Sequence, residues 1–321
     1  MRALVTGGAG FIGSHLGDEL IGRGHHVIAF DNLATGRHDN IRHLHDTQGF
    51  DFVLGSILDE DAVDEAARRC DVIFHLAAAV GVKLIVQNPL ESLVTNIKGS
   101  EIVLEAAHRH GKKVLITSTS EIYGKSTVLP LQEEGDRLLG SPLVGRWSYS
   151  TSKAVDEILA HAYFKEKGLP TVIVRLFNTV GPRQTGEYGM VVPRFVESAL
   201  EGRDLRIYGD GTQSRCFGYV GDIVPALIDL MESTVAEGLA VNLGSTEEVT
   251  IRELAEKVVE ETNSNSKIVT VPYEEVYESG FEEMARRVPD ISRARKLVGF
   301  EPRTSLREII QRTAEFYGQK H

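Results

Sequence analysis

The most constraining feature of this 321-residue chain is a regular alternation of short apolar runs with longer amphipathic stretches. The apolar runs are rich in β-branched residues and predict buried strands at 3–6, 27–30, 52–54, 72–76, 114–117 and 171–176. Helical spacing occurs between them, at 14–23, 60–69, 90–110 and 150–167. Because strands that alternate with helices form parallel sheets covered on both faces, the pattern predicts an α/β protein with a doubly wound parallel sheet.

The second half of the chain is less regular and predicts a smaller lobe. From about residue 181, proline and glycine separate helical stretches at 193–201 and 251–261. Residues 221–232 and 240–244 again have the pattern of a helix and a strand of the main sheet. We therefore expect a main domain at 1–180, to which about 216–245 return, and a C-terminal lobe formed mainly by 181–321.

Composition and charge exclude several classes of function. The net charge of −11 argues against nucleic-acid binding, which needs a concentrated basic surface. Cys70 and Cys216 have neither redox nor metal-ligand spacing, so we interpret both as packing residues and predict no metal site. No apolar run is long enough to span a membrane, and the N-terminus leads directly into a strand, which predicts a cytoplasmic protein.

A glycine-rich segment lies between the first predicted strand and the first predicted helix. Gly7, Gly10 and Gly13 would let the backbone approach a pyrophosphate, and the helix N-terminus would supply unpaired amide donors. The second strand ends at Asp31, about twenty residues further on, where a carboxylate can accept hydrogen bonds from ribose hydroxyls. Asp31 would repel a 2′-phosphate, and Arg37 is the one nearby cation, so the pattern predicts NAD rather than NADP.

A Tyr-x-x-x-Lys arrangement at the start of a predicted helix places Tyr149 and Lys153 on one face. A phenol with an ordinary pKa near 10 needs a nearby cation to act as a base at neutral pH, and Lys153 with an oxidised nicotinamide would supply it. Thr119 follows the strand at 114–117, at the sheet edge where ligands of such folds bind. These residues predict hydride transfer between NAD and a hydroxyl.

These motifs resemble those of the NAD-dependent epimerase/dehydratase family, the nucleotide-sugar branch of the extended short-chain dehydrogenases. The resemblance spans the chain and includes the stretches 7–13, 75–78, 149–153, 175–183 and 208–211. It implies a Rossmann-like fold with a substrate-binding C-terminal lobe. It also implies cofactor contacts from Gly7, Gly10, Phe11, Ile12, Gly13, Asp31, Asn32, Leu76, Ala77, Ala78, Tyr149 and Lys153. Substrate contacts are implied for Asn178 and Arg215 at the diphosphate-sugar, for Tyr208 near the nucleotide base, and for Arg183.

The same resemblance implies oxidation of a sugar hydroxyl at C4, with Thr119 bridging the hydroxyl, Tyr149 as the acid/base and Lys153 at the nicotinamide ribose. Epimerases of the family usually carry a small or hydroxyl residue in place of Glu121, whereas dehydratases and decarboxylases carry an acid. Ser120 before that acid, the segment 146–149, and an Arg-x-Pro-Asp-Ile motif beginning at Arg287 resemble UDP-glucuronate decarboxylases. The resemblance therefore favours decarboxylation of a UDP-sugar acid, with Arg287 orienting the carboxylate.

Other reactions and the assembly stay open. The loop at 80–83 and Gly218 differ from those decarboxylases. The first alternative is a UDP-sugar 4-epimerase acting on a hexose or a hexuronate, and the second is a nucleotide-sugar 4,6-dehydratase. From another class, the chain could be an inactive NAD-sensing protein. Members of the family commonly dimerise through the helices predicted here at 90–110 and 150–167, so the resemblance implies a homodimer.

Overall fold

The computed structural model describes residues 1–80, 88–187, 189–276, 282 and 284–319. Its strands are β1 Arg2–Thr6, β2 His26–Asp31, β3 Phe50–Leu54, β4 Val72–His75, β5 Lys113–Thr119, β6 Thr171–Leu176, β7 Thr179–Val180, β8 Leu205–Tyr208, β9 Ser214–Cys216, β10 Gly218–Tyr219, β11 Ala240–Leu243, β12 Glu248–Thr250 and β13 Ile268–Val271. Its helices are α1 Phe11–Gly22, α2 Glu60–Arg68, α3 Pro89–His110, α4 Ser148–Lys167, α5 Val191–Leu200, α6 Val220–Glu232, α7 Ile251–Glu261, α8 Ser292–Val298 and α9 Leu306–Gly318.

The central sheet has seven strands in the order β11-β6-β5-β4-β1-β2-β3, and all neighbouring strands are parallel. The strand order reverses between β1 and β4, which makes the crevice beyond their carboxyl ends the expected ligand site of such a sheet. This arrangement confirms the predicted doubly wound fold.

Both faces of the sheet are buried, which explains why its strands are apolar without alternation. Ala3 and Val5 of β1 face a core that contains apolar residues of α1 and α6. Leu4, between them, faces the opposite core, which contains residues of α2 and α3. Alternate residues of β1 therefore pack against the helices on opposite faces of the sheet.

The C-terminal part has a hydrophobic core of its own, formed by residues between Val180 and Tyr317. Among the residues that the structure describes, three two-stranded sheets accompany it: β7 with β10, β9 with β12, and β8 with β13. Two C-terminal helices, α8 and α9, were not predicted from the sequence. The N-terminus of α9 has a complete capping box, in which Ser305 and Glu308 each satisfy a backbone amide of the other.

Helix α1 begins at Phe11, three residues before the predicted start at residue 14. The reason is that the glycine turn itself forms the helix N-terminus, with Gly10 as the capping residue. Cys70 and Cys216 are buried free thiols, as expected of packing residues. Among the described residues, no helix combines the length and apolar character needed to cross a membrane.

A backbone connection brings the late segment around Arg287 to the main sheet. Leu131 N–H donates to Val288 O at 2.8 Å, and Asp290 N–H donates to Leu131 O at 2.9 Å. The buried Asn242 of β11 reinforces this connection by donating through Nδ2 to the same Leu131 carbonyl at 2.9 Å. Residues far apart in sequence therefore meet at the carboxyl end of the sheet.

Candidate active site

A cavity of about 580 Å³ lies beyond the carboxyl ends of the central strands, at the point where the strand order reverses. Its wall contains all residues predicted to contact the cofactor: Gly7, Gly10, Phe11, Ile12, Gly13, Asp31, Asn32, Leu76, Ala77, Ala78, Tyr149 and Lys153. It also contains Thr119, Glu121, Asn178, Arg183 and Arg287. Tyr208 and Arg215 are not part of this wall. The roles of all these residues stay predictions.

The glycine turn is too tightly packed for side chains. A Cβ on Gly13 would lie 2.1 Å from Gly7 O, and a Cβ on Gly7, whose φ is +71°, would lie 2.9 Å from Ala77 N. Gly10, the capping residue of α1, has no side chain that could accept a hydrogen bond from the first-turn amides. The helix N-terminus is thus shaped for an anionic group such as a pyrophosphate.

Asp31 lies at the end of β2 and is fixed by two backbone amides. Ala9 N–H donates to Oδ2 at 3.0 Å and Leu33 N–H donates to Oδ1 at 2.7 Å. Burial raises the pKa of Asp31, although both amides act in the opposite direction. Arg37, the nearby cation, forms an exposed ion pair with Glu187 at 2.7 Å. The residues present therefore fit a ribose with free hydroxyls, as in NAD, better than a ribose phosphate.

Tyr149 and Lys153 lie in the first two turns of α4, on the face towards the cavity. Lys153 Nζ donates to the buried Asp156 carboxylate at 2.7 Å. Burial raises the pKa of Tyr149, and the negative charges of Glu121 and Asp156 raise it further. The phenol thus needs the positive charge of the oxidised nicotinamide to act as a base near neutral pH.

Thr119 ends β5 and caps the short 3-10 turn Ser120–Tyr123 that follows it. Its Oγ1 accepts a hydrogen bond from Glu121 N–H at 3.2 Å. Since that bond uses an acceptor site, the hydroxyl proton remains available to a ligand in the cavity. The predicted bridging role of Thr119 is therefore compatible with its role as the cap of this turn.

Glu121 is held between two buried arginines. Arg146 donates to both carboxylate oxygens, with Nη2 to Oε1 at 3.1 Å, and Arg287 Nη1 donates to Oε1 at 3.3 Å. Burial alone would raise the pKa of Glu121, but the charges of Arg146 and Arg287 and the hydrogen bonds from Arg146 outweigh it and give a pKa of about 2. Glu121 is therefore a carboxylate at neutral pH, and Arg287 completes the cluster from the cavity wall.

Two of the groups that organise this site were not identified from the sequence. Arg146 was noticed only as part of a motif, and its partner Glu121 is 25 residues away. Asp156 received no role, because a carboxylate three residues after a lysine on a helix is common on exposed surfaces.

Two predicted substrate contacts have protein partners. Arg215 donates through Nη1 to Ser214 O at 2.7 Å. The Arg194 guanidinium carbon lies over the Tyr208 ring, 4.2 Å from the ring centroid. The difference noted at 80–83 falls largely on 81–83, outside the described residues.

The glycine turn, Asp31, Thr119 and the Tyr149–Lys153 pair together define an NAD-dependent enzyme of the short-chain dehydrogenase class. Comparison with known proteins gives a narrower assignment. The model of the GDP-mannose 4,6 dehydratase family matches residues 4–313. A UDP-N-acetyl-alpha-D-glucosaminuronate decarboxylase from Bacillus cytotoxicus is 44% identical and covers 98% of this chain and 97% of its own.

UDP-glucuronic acid decarboxylase 1 from Danio rerio is 37% identical, and the match covers 99% of this chain and 73% of the relative's length. The solved structure of a UDP-glucuronic acid 4-epimerase from Bacillus cereus, in complex with UDP-glucuronic acid and NAD, has a TM-score of 0.90 at 29% identity and covers 100% of both chains. The chain belongs to the NAD-dependent epimerase/dehydratase family of nucleotide-sugar enzymes. Its cofactor is NAD, as the glycine turn and Asp31 predict.

Proposed function

We propose that this enzyme decarboxylates a UDP-linked hexuronic acid, after oxidation at C4, to a UDP-pentose. The observation that carries the proposal is the buried cluster of Glu121, Arg146 and Arg287. Glu121 and Arg287 line the cavity, so the Arg287 guanidinium is placed to contact the carboxylate of a sugar acid bound there. A neutral hexose has no carboxylate to offer this guanidinium. The relatives named as decarboxylases of uronic acids support the same substrate class.

The oxidation step would use Thr119, Tyr149 and Lys153. Tyr149, ionised, would take the proton of the C4 hydroxyl, while Thr119 holds that oxygen and Lys153 holds the nicotinamide ribose. A bound NAD would supply the hydride chemistry, as the acceptor of the C4 hydride during oxidation and its donor in the final reduction of the C4 ketone. The product of oxidation is a ketone at C4, which makes the sugar acid a β-keto acid.

Carbon dioxide would then leave by cleavage of the C5–C6 bond, whose electrons move to the C4 oxygen as an enolate. A proton taken up from solvent at C5 would restore the C4 ketone, which is then reduced. Tyr149, now protonated, and Thr119 can donate hydrogen bonds to that oxygen, as donors do in an oxyanion hole. Arg287 would orient the departing carboxylate. The negative charge of Glu121 moderates that contact, because a carboxylate held by an unopposed pair of arginines would be stabilised as the anion and would lose carbon dioxide slowly.

The test is Glu121→Gln with UDP-glucuronic acid and, in parallel, with its 2-acetamido counterpart. The variant should still form NADH and the 4-keto acid, because the oxidation residues are intact, but release little carbon dioxide. Stopped-flow absorbance follows NADH, and mass spectrometry follows the sugar. Glu65→Gln, which breaks an exposed pair with Arg68 on α2, is the matched control and should behave as the parent.

A 4-epimerase acting on a UDP-hexuronate is the second candidate, because the structural neighbour of that function also takes a sugar acid. The wild-type product separates the two reactions. An isomer of unchanged mass from UDP-glucuronic acid would contradict decarboxylation, and Glu121→Gln would then change the rate without accumulating NADH.

We also propose that residues 1–180, with about 216–245, bind the cofactor, and that 181–321 mainly bind the substrate. The separate core of the C-terminal part supports this division. For the assembly we propose a homodimer through α3 and α4, which pack against each other. These helices leave Leu90, Val94 and Ile158 exposed at 75%, 46% and 63%. The cytoplasmic location stays a prediction of the sequence.

A further inference from the structure

Asp156 is a carboxylate in the protein interior, on the same helix as Tyr149 and Lys153. It follows Tyr149 by seven residues and Lys153 by three, so the three side chains lie on one face of α4. Tyr149 and Lys153 line the cavity, whereas Asp156 is 0% exposed and does not. Any effect of Asp156 on the reaction must therefore pass through its neighbours.

The contact between Lys153 and Asp156 is a buried ion pair. Lys153 Nζ donates to Asp156 Oδ2 at 2.7 Å, and both side chains are almost completely excluded from solvent. Within the described residues, Asp156 Oδ1 has no hydrogen-bond partner. A buried ion pair is weak evidence for a purely stabilising role, because apolar residues of similar volume often stabilise a fold as well or better. This geometry suggests that the pair serves the site.

No other group in the described surroundings can replace Asp156 as the partner of Lys153. His75 of β4 faces Lys153, but burial, with a contribution from the Lys153 charge, lowers the pKa of His75 to about 3, so it is neutral. Its ring nitrogens bond to Thr6 Oγ1 at 2.8 Å and to Ser100 Oγ of α3 at 3.1 Å. The other charged groups around α4 have partners of their own: Glu121 with Arg146 and Arg287, and Glu157 with Arg175.

We propose that Asp156 is a positioning residue, which holds the Lys153 ammonium in place beside the cofactor and offsets its positive charge at Tyr149. This inference rests on the proposed role of Tyr149 as the base. Because Lys153 is nearer to Tyr149 along the helix than Asp156 is, Asp156 offsets only part of the lysine field, and the oxidised nicotinamide supplies the further positive charge that ionises the phenol. The base is therefore activated chiefly when the oxidised cofactor is bound.

The consequence is a measurable pH effect. Seven residues of helix separate the two Cα atoms by about 10 Å. At an effective dielectric constant of about 20, one charge at that distance changes a pKa by about one unit. Removing the negative charge of Asp156 favours the phenolate, so the pKa of Tyr149 should fall and the acid limb of the oxidation rate should move to lower pH.

The test uses the full chain loaded with NAD and labelled with ¹³Cζ-tyrosine. The Tyr149 resonance is the one that disappears in Tyr149→Phe, and its titration is compared in the parent, Asp156→Asn, Asp156→Ser and Asp156→Glu. Either neutral variant should titrate about one unit below the parent. The charge-conserving Asp156→Glu should remain close to the parent. Two neutral variants are included so that a fold defect in one, seen by circular dichroism, does not decide the result.

Equal titration midpoints of Tyr149 in the parent and in a folded neutral variant would overturn the proposal. The same conclusion would follow if Tyr149 stayed protonated in both proteins up to the highest pH at which they are folded. An equal fall in Asp156→Glu would show that packing, rather than charge, is responsible, and would overturn it too. The rate of NADH formation from UDP-glucuronic acid across the same pH range is the second readout. If the parent does not oxidise that sugar, the proposed substrate fails while the substrate-free titration still decides the role of Asp156.

Discussion

Tyr149 is the residue through which both halves of the proposed reaction pass, because it removes the C4 proton and then donates to the C4 oxygen. We expect Tyr149→Phe to lower turnover by about 10²–10⁴-fold, the usual contribution of a general acid/base. NAD affinity should stay within about twofold, since the phenol is not among the groups that fit the pyrophosphate or the adenosine ribose. Steady-state kinetics and calorimetric NAD titration measure the two effects.

A tyrosine on the same helix provides the control for this change. Tyr163 donates to Glu105 at 2.9 Å on the exposed side of α4, away from the cavity. Tyr163→Phe should leave turnover unchanged. Activity of Tyr149→Phe close to that of this control would mean that another group is the base.

The site residues that could be identified from the sequence are those that lie close to their partners along the chain. Tyr149 and Lys153 are one helical turn apart, and Gly7, Gly10 and Gly13 form one turn, so local geometry alone brings them together. Arg146 and Asp156 could not be found this way. Their importance comes from burial and from the partner they face, and neither is visible in a linear pattern.

At the scale of elements, the turn between β1 and α1 is predicted to hold the cofactor pyrophosphate. Gly13→Ala would place a Cβ about 2 Å from a backbone carbonyl, and since that atom cannot move without distorting the turn, NAD affinity should fall at least about tenfold. Gly22→Ala in the same helix is the matched control, because nothing lies within 4 Å of its added Cβ. Calorimetric titration with NAD, alongside thermal unfolding, separates lost binding from lost fold. Equal NAD affinities in the two variants would contradict this account of the turn.

The strands and helices of the central sheet were predictable because each has the apolar periodicity of an element buried on one or both sides. The C-terminal helices α8 and α9 were missed. Helix α8 spans only Ser292–Val298, too short for periodicity to be informative, whereas the capping residues Ser305 and Glu308 of α9 are visible in the sequence and could have marked its start.

At the scale of the whole molecule, the proposed dimer through α3 and α4 makes a direct prediction. The parent should sediment as a dimer at micromolar concentration, and the double change Val94→Asp with Ile158→Asp should weaken association at least about tenfold, because it places charge in an apolar interface. Val235→Asp, at an exposed apolar position outside these helices (68% exposed), is the control. A monomeric parent would contradict the proposal.

The connection between Leu131 and the segment that carries Arg287 also has a consequence for synthesis of the protein. Chains emerge from the ribosome N-terminus first, and their folded units form in that order. The glycine turn, Thr119, Tyr149 and Lys153 are all translated before β11 completes the central sheet, and Arg287 is translated after it. During its own production, the enzyme therefore acquires the residues proposed for oxidation before it acquires Arg287, the residue proposed to orient the carboxylate that leaves.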